Sequence, residues 1–217
     1  MKHVTQHAST TVYVVRHSQS LWNGTKRISG QCNPPLSPKG LGQSRALARA
    51  LHHIPLTAIY TSTLSRTIET ARPTALDHHL EIQALDALKE IHFGDLQGRF
   101  RDERDPEAQR IWQERSRKML EYRVPGGETF PELINRILPR LEDILQQEQG
   151  GTILIVGHRS VNRVLLGTFM EWPEETLCDI KVRSQFVYEI SLGESPSMQT
   201  IILKANGERT LHDGFLM

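Results

Sequence analysis

The chain has 217 residues, 38% of them hydrophobic and 24% charged, a balance that excludes wholesale disorder and leaves apolar material for one domain with a substantial core. With 26 lysines and arginines against 25 aspartates and glutamates the formal charge is +1, so global charge gives no reason to propose nucleic acid or an acidic membrane as partner. Cys32 and Cys178 are too few for a disulfide framework and lack zinc-site spacing; with a polar start and no apolar run of about 18 residues, the expectation is a cytoplasmic protein with free thiols.

Residues 1–10 read as a flexible N-terminus and 11–217 as a single domain. Thr11 to Val15 is β-branched and aromatic, then gives way to a polar stretch from Arg16 to Gly30, as a buried strand does when it enters a loop. Ser37-Pro38 supplies an N-cap and a first-turn proline for a helix whose apolar face is Leu41, Leu47, Leu51 and Ile54. A second strand over Thr57 to Thr61 and a helix over Ser62 to Leu76 repeat the unit. Pro106 to Tyr122 is charged, with Ile111, Trp112, Met119 and Leu120 interspersed, and reads as a helix laid over the domain. Glu132 to Gln147 carries Leu133, Ile137, Leu141, Ile144 and Leu145 on one face, with a kink expected at Pro139. Thr152 to Val156 is a further buried strand, followed by Gly157-His158 and a helix over Val161 to Met170. Gln185 to Ser191 and Met198 to Leu203 read as strands around a Gly193-Glu194-Ser195-Pro196 turn. The class is therefore α/β, and in such sheets the functional crevice lies beyond the carboxyl ends of the strands, where both His17 and His158 fall.

Arg16-His17-Ser18-Gln19-Ser20-Leu21-Trp22-Asn23 gathers a cation, an imidazole, hydroxyls and an amide in one loop. Guanidinium presents forked donors to the oxygens of a phosphoryl group, and a neutral imidazole can attack phosphorus to give a phosphohistidine. The residues alone treat His17 and His158 almost symmetrically.

Five stretches in order resemble the histidine phosphatase superfamily, which also contains the cofactor-dependent phosphoglycerate mutases; the resemblance runs from about residue 12 to 203. Arg16-His17, with Ser20 and Asn23, is similar to the family's signature, with Ser18 where glycine is usual. Ser62-Thr63-Leu64-Ser65-Arg66-Thr67-Ile68-Glu69-Thr70 resembles the second motif, which makes Arg66 a phosphate ligand. Leu88-Lys89-Glu90 through Gly98 resembles the third, which makes Glu90 the proton donor. Pro125-Gly126-Gly127-Glu128-Thr129 resembles the turn before the family's long helix, and Gly157-His158 the second active-site histidine, with Arg159 where glycine or glutamine is often found. The resemblance implies a three-layer α/β/α sandwich with a mostly parallel central sheet. It implies that His17 is the nucleophile, that Arg16, Arg66 and His158 hold the non-bridging oxygens, and that Asn23 adds an amide hydrogen bond. Ser20, Ser29, Gly30 and Arg159 are further binding candidates.

Arginines next to His17 are expected to keep it neutral, and a bell-shaped rate profile follows if Glu90 serves first as acid and then as base. No carboxylate cluster that would hold a metal is evident, and no cofactor is expected. The expected partner is a small phosphorylated metabolite, with a homodimer plausible only by family analogy. His52-His53 and His78-His79 read as exposed or capping residues rather than metal ligands. Trp112 and Tyr122 could line a pocket or anchor their helix, and His92 could touch substrate. Arg99 to Arg123 reads as a lid whose seven arginines suit either a second anionic group on the substrate or a solvated charged helix, with one or two expected to face inward.

Three functions compete at this point. The segment between Gly98 and Glu128, about 30 residues, is shorter than in the mutases, and the chain ends soon after its last strand; both favour hydrolysis over phosphoryl transfer. The mutase-like stretch from Glu90 to Gly98 keeps the transferase alternative open. A catalytically inactive phosphate-binding module is disfavoured because every reacting residue is present.

Overall fold

A computed structural model describes residues 9–204 and 208–215. Residues 1–8 of the expected flexible N-terminus lie outside this set, whereas Thr10 already belongs to the first strand. In chain order the elements are β1 (Thr10–Arg16), α1 (Leu21–Gly24), α2 (Pro38–Leu51), β2 (Ala58–Ser62), α3 (Ser65–Asp77), β3 (Ile82–Leu85), α4 (Pro106–Arg117), α5 (Phe130–Gln147), β4 (Thr152–Gly157), α6 (Arg159–Phe169), β5 (Phe186–Leu192), β6 (Ser197–Leu203) and β7 (Arg209–Asp213). Two strands, β3 and β7, and the helical turn α1 were not foreseen from the sequence.

The strands form one seven-stranded sheet in the order β3-β2-β4-β1-β5-β6-β7. The first four of these are mutually parallel, and β5, β6 and β7 each run antiparallel to their neighbour. Strand alternation splits the core in two. Tyr13, Val15, Ile59, Leu154 and Val156 face one side, where Leu47 and Leu51 of α2 and Ala71 and Ala75 of α3 cover them. Val12, Val14, Tyr60, Ile153 and Ile155 face the other, under Leu133, Ile137 and Ile144 of α5 and Val161 and Leu165 of α6. These are the three layers. Each such fully buried aliphatic side chain contributes about 1.5–3 kcal/mol by leaving water.

Capping follows the sequence rules closely. The Ser37 hydroxyl accepts from the Gly40 amide at the start of α2, and Asp105 accepts from the Ala108 amide at the start of α4. Thr129 and Glu132 close a reciprocal capping box on α5. That helix continues through Pro139, which lies on its exposed face.

Topology places the site. Strand β4 inserts between β1 and β2, so the chain's first crossover passes over it and opens a crevice at the carboxyl ends of β1 and β4. Arg16 pairs in register with Gly157, and the His17 amide donates to the Gly157 carbonyl at 2.9 Å. Adjacent strand ends thus deliver His17 and His158 side by side, while β2 leads to Arg66 in α3 and β3 leads to the Glu90 loop.

Candidate active site

His17 and His158 are buried, with ring centroids 5.2 Å apart. His17 Nδ1 lies 2.7 Å from the Ser18 carbonyl oxygen, which can only accept; the proton therefore resides on Nδ1 and Nε2 carries the free lone pair. Burial is the largest influence depressing the His17 pKa well below its ordinary value, and the charges of Arg66 and Arg16 add to it. The sequence reasoning credited the arginines alone; desolvation outranks them. His158 is depressed in the same way by burial and then by Arg66. Its Nε2 meets the Ser62 hydroxyl at 2.8 Å, and Ser62 in turn meets Thr67 at 2.8 Å, so this hydroxyl pair governs which ring nitrogen of His158 is protonated. His158 Nδ1 is buried and has no hydrogen-bond partner.

Arg66 is 1% exposed, and its guanidinium is braced by two peptide carbonyls, Cys32 O and Gly30 O, each at 2.7 Å. Gly30 adopts φ +51, and a Cβ there would strike the Gln97 side chain, so glycine is needed to turn its carbonyl toward Arg66. Its contribution is backbone geometry. Arg16 donates from Nη1 to the Val182 carbonyl at 3.2 Å, and its buried Nε has no partner. Burial lowers both arginines to about 10, which leaves them charged at neutral pH.

Glu90 is buried where the chain returns from β3. One carboxylate oxygen accepts from the amides of Ile91 (3.0 Å) and Ser160 (3.2 Å), the other from the Arg159 amide (3.1 Å). The first amides of α6 therefore hold the carboxyl group in place. The departure at Arg159 leaves this backbone contact intact.

These groups share a cavity of about 300 Å³. It is lined by Arg16, His17, Asn23, Ser29, Gly30, Arg66, Glu90 and Arg159, together with Arg27, Ile28, Phe93, Arg101, Trp112, Arg115, Ser116, Met119, Ser160, Arg163 and Cys178. Two expected site residues are not on its wall. Ser20 is fully buried, and its hydroxyl caps α1 through Asn23, while His158 stands beside His17. His92 is also elsewhere, bonded to the Gly94 amide and Gln97. Trp112 lines the cavity and packs edge-on to Phe93 at 5.1 Å, whereas Tyr122 packs against the core.

Of the seven lid arginines only Arg101 and Arg115 line the cavity. Arg99, Arg104, Arg110 and Arg123 meet carboxylates outside it, and Arg117 is exposed. Sequence reasoning did not single out Arg27 or Arg163, nor Ser62 and Thr67 as the pair behind His158. The spacing of Ala108, Trp112, Arg115 and Met119 would have identified the inward face of the lid helix. Among the described residues no three His, Cys, Asp or Glu side chains are grouped to hold a metal, and no helix is long and apolar enough to cross a membrane.

The chain is 31% identical over 186 residues to a Yersinia pestis protein named Probable phosphoglycerate mutase GpmB, covering 85% of this chain and 86% of that one. Among solved structures, Bacillus stearothermophilus YhfR superposes with a TM-score of 0.73 at 29% identity over 95% of this chain and 96% of that one. The alpha-ribazole phosphatase of Shigella flexneri superposes at 0.70 and 22% identity, again over 95% and 96%, a likeness of fold. The family model for the histidine phosphatase superfamily (branch 1) matches residues 12–197, and the chain belongs to that superfamily.

Proposed function

We propose that the protein is a metal-independent phosphatase that hydrolyses a small phosphomonoester through a phosphohistidine on His17. The observation that carries this is the ring of His17. Its proton is held on Nδ1 by Ser18, its pKa is depressed, and Nε2 keeps a free lone pair on a residue that lines the cavity together with Arg16 and Arg66. Nε2 attacks phosphorus, the N–P bond forms and the P–O bond to the alcohol breaks. Arg16 and Arg66, with Asn23 at the cavity wall, meet the charge on the transferred group. Glu90, entering as the carboxylic acid, gives its proton to the leaving alkoxide. As carboxylate it then takes a proton from the water that cleaves phospho-His17, releasing orthophosphate and restoring the imidazole. The cationic charge for both steps comes from arginine.

The name carried by the Yersinia relative favours a second reading, a phosphoglycerate mutase-type transferase, in which the same phospho-His17 passes its group to a second hydroxyl. The compact lid argues for hydrolysis: a single 12-residue helix, α4, is a small cover for an intermediate that must be kept from water while a substrate turns over within the site.

The test is phosphate release from a panel of phosphorylated metabolites in EDTA, beside conversion of 3-phosphoglycerate to 2-phosphoglycerate with 2,3-bisphosphoglycerate supplied. Release is expected to be unchanged by EDTA and to fall at least about a thousandfold in His17→Ala, with acid-labile label trapped only on the unsubstituted protein. Isomerisation faster than release would replace the phosphatase reading with the mutase one, and unchanged turnover in His17→Ala would remove both.

A further inference from the structure

Asn162, in the first turn of α6, is fully buried and does not line the cavity. Among the described residues neither its Oδ1 nor its Nδ2 has a hydrogen-bond partner. An amide taken out of water with both atoms unpaired is costly, and leucine would fill a similar volume without that cost. Helix formation does not ask for asparagine here, since the bond from the Asn162 amide N–H to the His158 carbonyl can be made by nearly any residue. Arg16 holds the complementary group. Its buried Nε–H can only donate and is unpaired, while Nη1 donates to the Val182 carbonyl at 3.2 Å.

The backbone brings the two residues to one place. Arg16 and Gly157 are register partners on the parallel strands β1 and β4, so their side-chain positions point to the same face of the sheet. That face lies under α6: a Cβ on Gly157 would strike Asn162 Oδ1 and come to 3.4 Å from Val161 Cγ1. The missing side chain of Gly157 therefore makes room for the Asn162 amide oxygen, beside the point where the Arg16 side chain leaves its strand. Val182, which accepts from Arg16, belongs to the core on this same face.

Taking the phosphatase reading of the site as its basis, we propose that Asn162 is a positioning residue for Arg16: in the anion-bound enzyme its Oδ1 takes the Arg16 Nε–H and fixes the direction of the guanidinium. Contacts of this kind commonly tighten only when a ligand is held. Arg16 is then braced twice, by Val182 O and Asn162 Oδ1, as Arg66 is by Cys32 O and Gly30 O. The hydrogens of Nη2 remain for the phosphoryl oxygens, and a donor aimed in advance stabilises the transferred charge without reorganising.

The test is a double-substitution cycle of the unsubstituted enzyme, Asn162→Leu, Arg16→Lys and the two together. Each protein is read by calorimetric binding of orthophosphate, by kcat/KM for phenyl phosphate and by denaturant unfolding. Lysine keeps a cation at position 16 but has no Nε–H. Asn162→Leu is expected to weaken orthophosphate binding and lower kcat/KM about tenfold, and to change neither by more than about twofold once Arg16 is lysine. It is also expected to raise the denaturant midpoint, because an unpaired amide leaves the core; a residue needed only for packing would lower it. Asn162→Ala supplies the same cycle should Asn162→Leu fail to fold. Unmoved orthophosphate affinity, or the same loss in both backgrounds, overturns the role of Asn162 and leaves the phosphatase reading standing. Coupled loss of orthophosphate binding in a protein that hydrolyses no ester keeps the positioning role while the phosphatase reading falls. An unsubstituted enzyme that does not bind orthophosphate removes both.

Discussion

The imidazoles of His17 and His158 are neutral groups kept in a place that disfavours their cations. This choice has a cost outside catalysis. Each has a folded-state pKa well below the ordinary value of 6.5. Above that value neither the folded nor the unfolded chain protonates them, and stability is complete. As the pH falls through 6.5 the unfolded chain takes up protons that the folded one does not, and stability declines toward the folded-state pKa. Each group contributes a slope of up to about 1.4 kcal/mol per pH unit. Chemical denaturation of the ligand-free protein between pH 7.5 and 5 is therefore expected to show falling stability, with a slope shallower by about that amount in His158→Gln. A variant slope equal to the parent's would assign the proton uptake to other residues. The sequence could bring both histidines to strand ends but could not rank them, because the ranking rests on Ser18 O and Ser62 Oγ, contacts that no spacing rule encodes.

At the scale of elements, the Glu90 loop is held by a clamp from the long helix. Arg136 of α5 grips both Glu128 oxygens at 2.8 Å and donates to the carbonyls of Ala87 and Lys89, while Glu128 also accepts from the His92 amide. The clamp ties turn, helix and acid loop together. Arg136 is a positioning residue: Arg136→Met is expected to cost about 2 kcal/mol, discounted from the 3–5 of a fully buried broken pair because the guanidinium is partly exposed. It is also expected to lower kcat about tenfold with less change in KM, since Glu90 loses its alignment. Loss of stability with kcat intact would make the clamp purely structural. The long helices and central strands were legible from apolar period and caps. Strands β3 and β7 were not: Ile-Gln-Ala-Leu is four residues at a sheet edge, and Arg-Thr-Leu-His-Asp is a polar edge with most of its side chains in solvent. Neither carries the alternation by which a half-buried strand is recognised.

For the molecule as a whole, a formal charge of +1 conceals a sorted distribution. Four of the five lid arginines outside the cavity are matched with acids, while seven arginines line it with one glutamate. Composition saw the sum and not the sorting, which exists only after β1, α3, the lid and α6 have converged. The brace on Arg66 carries a consequence for the course of the reaction. A guanidinium already clasped by Gly30 and Cys32 carbonyls needs no rearrangement to receive an anion, and it offers the same welcome to a departing orthophosphate as to an arriving ester. Turnover is thus expected to slow itself: progress curves bend before the ester is consumed, orthophosphate inhibits competitively, and an enzyme that removes phosphate straightens the trace. Straight traces without such a trap would mean that Arg66 does not hold the phosphoryl group. In a cell, the rate of such an enzyme would be set by the standing phosphate level as much as by the supply of its ester.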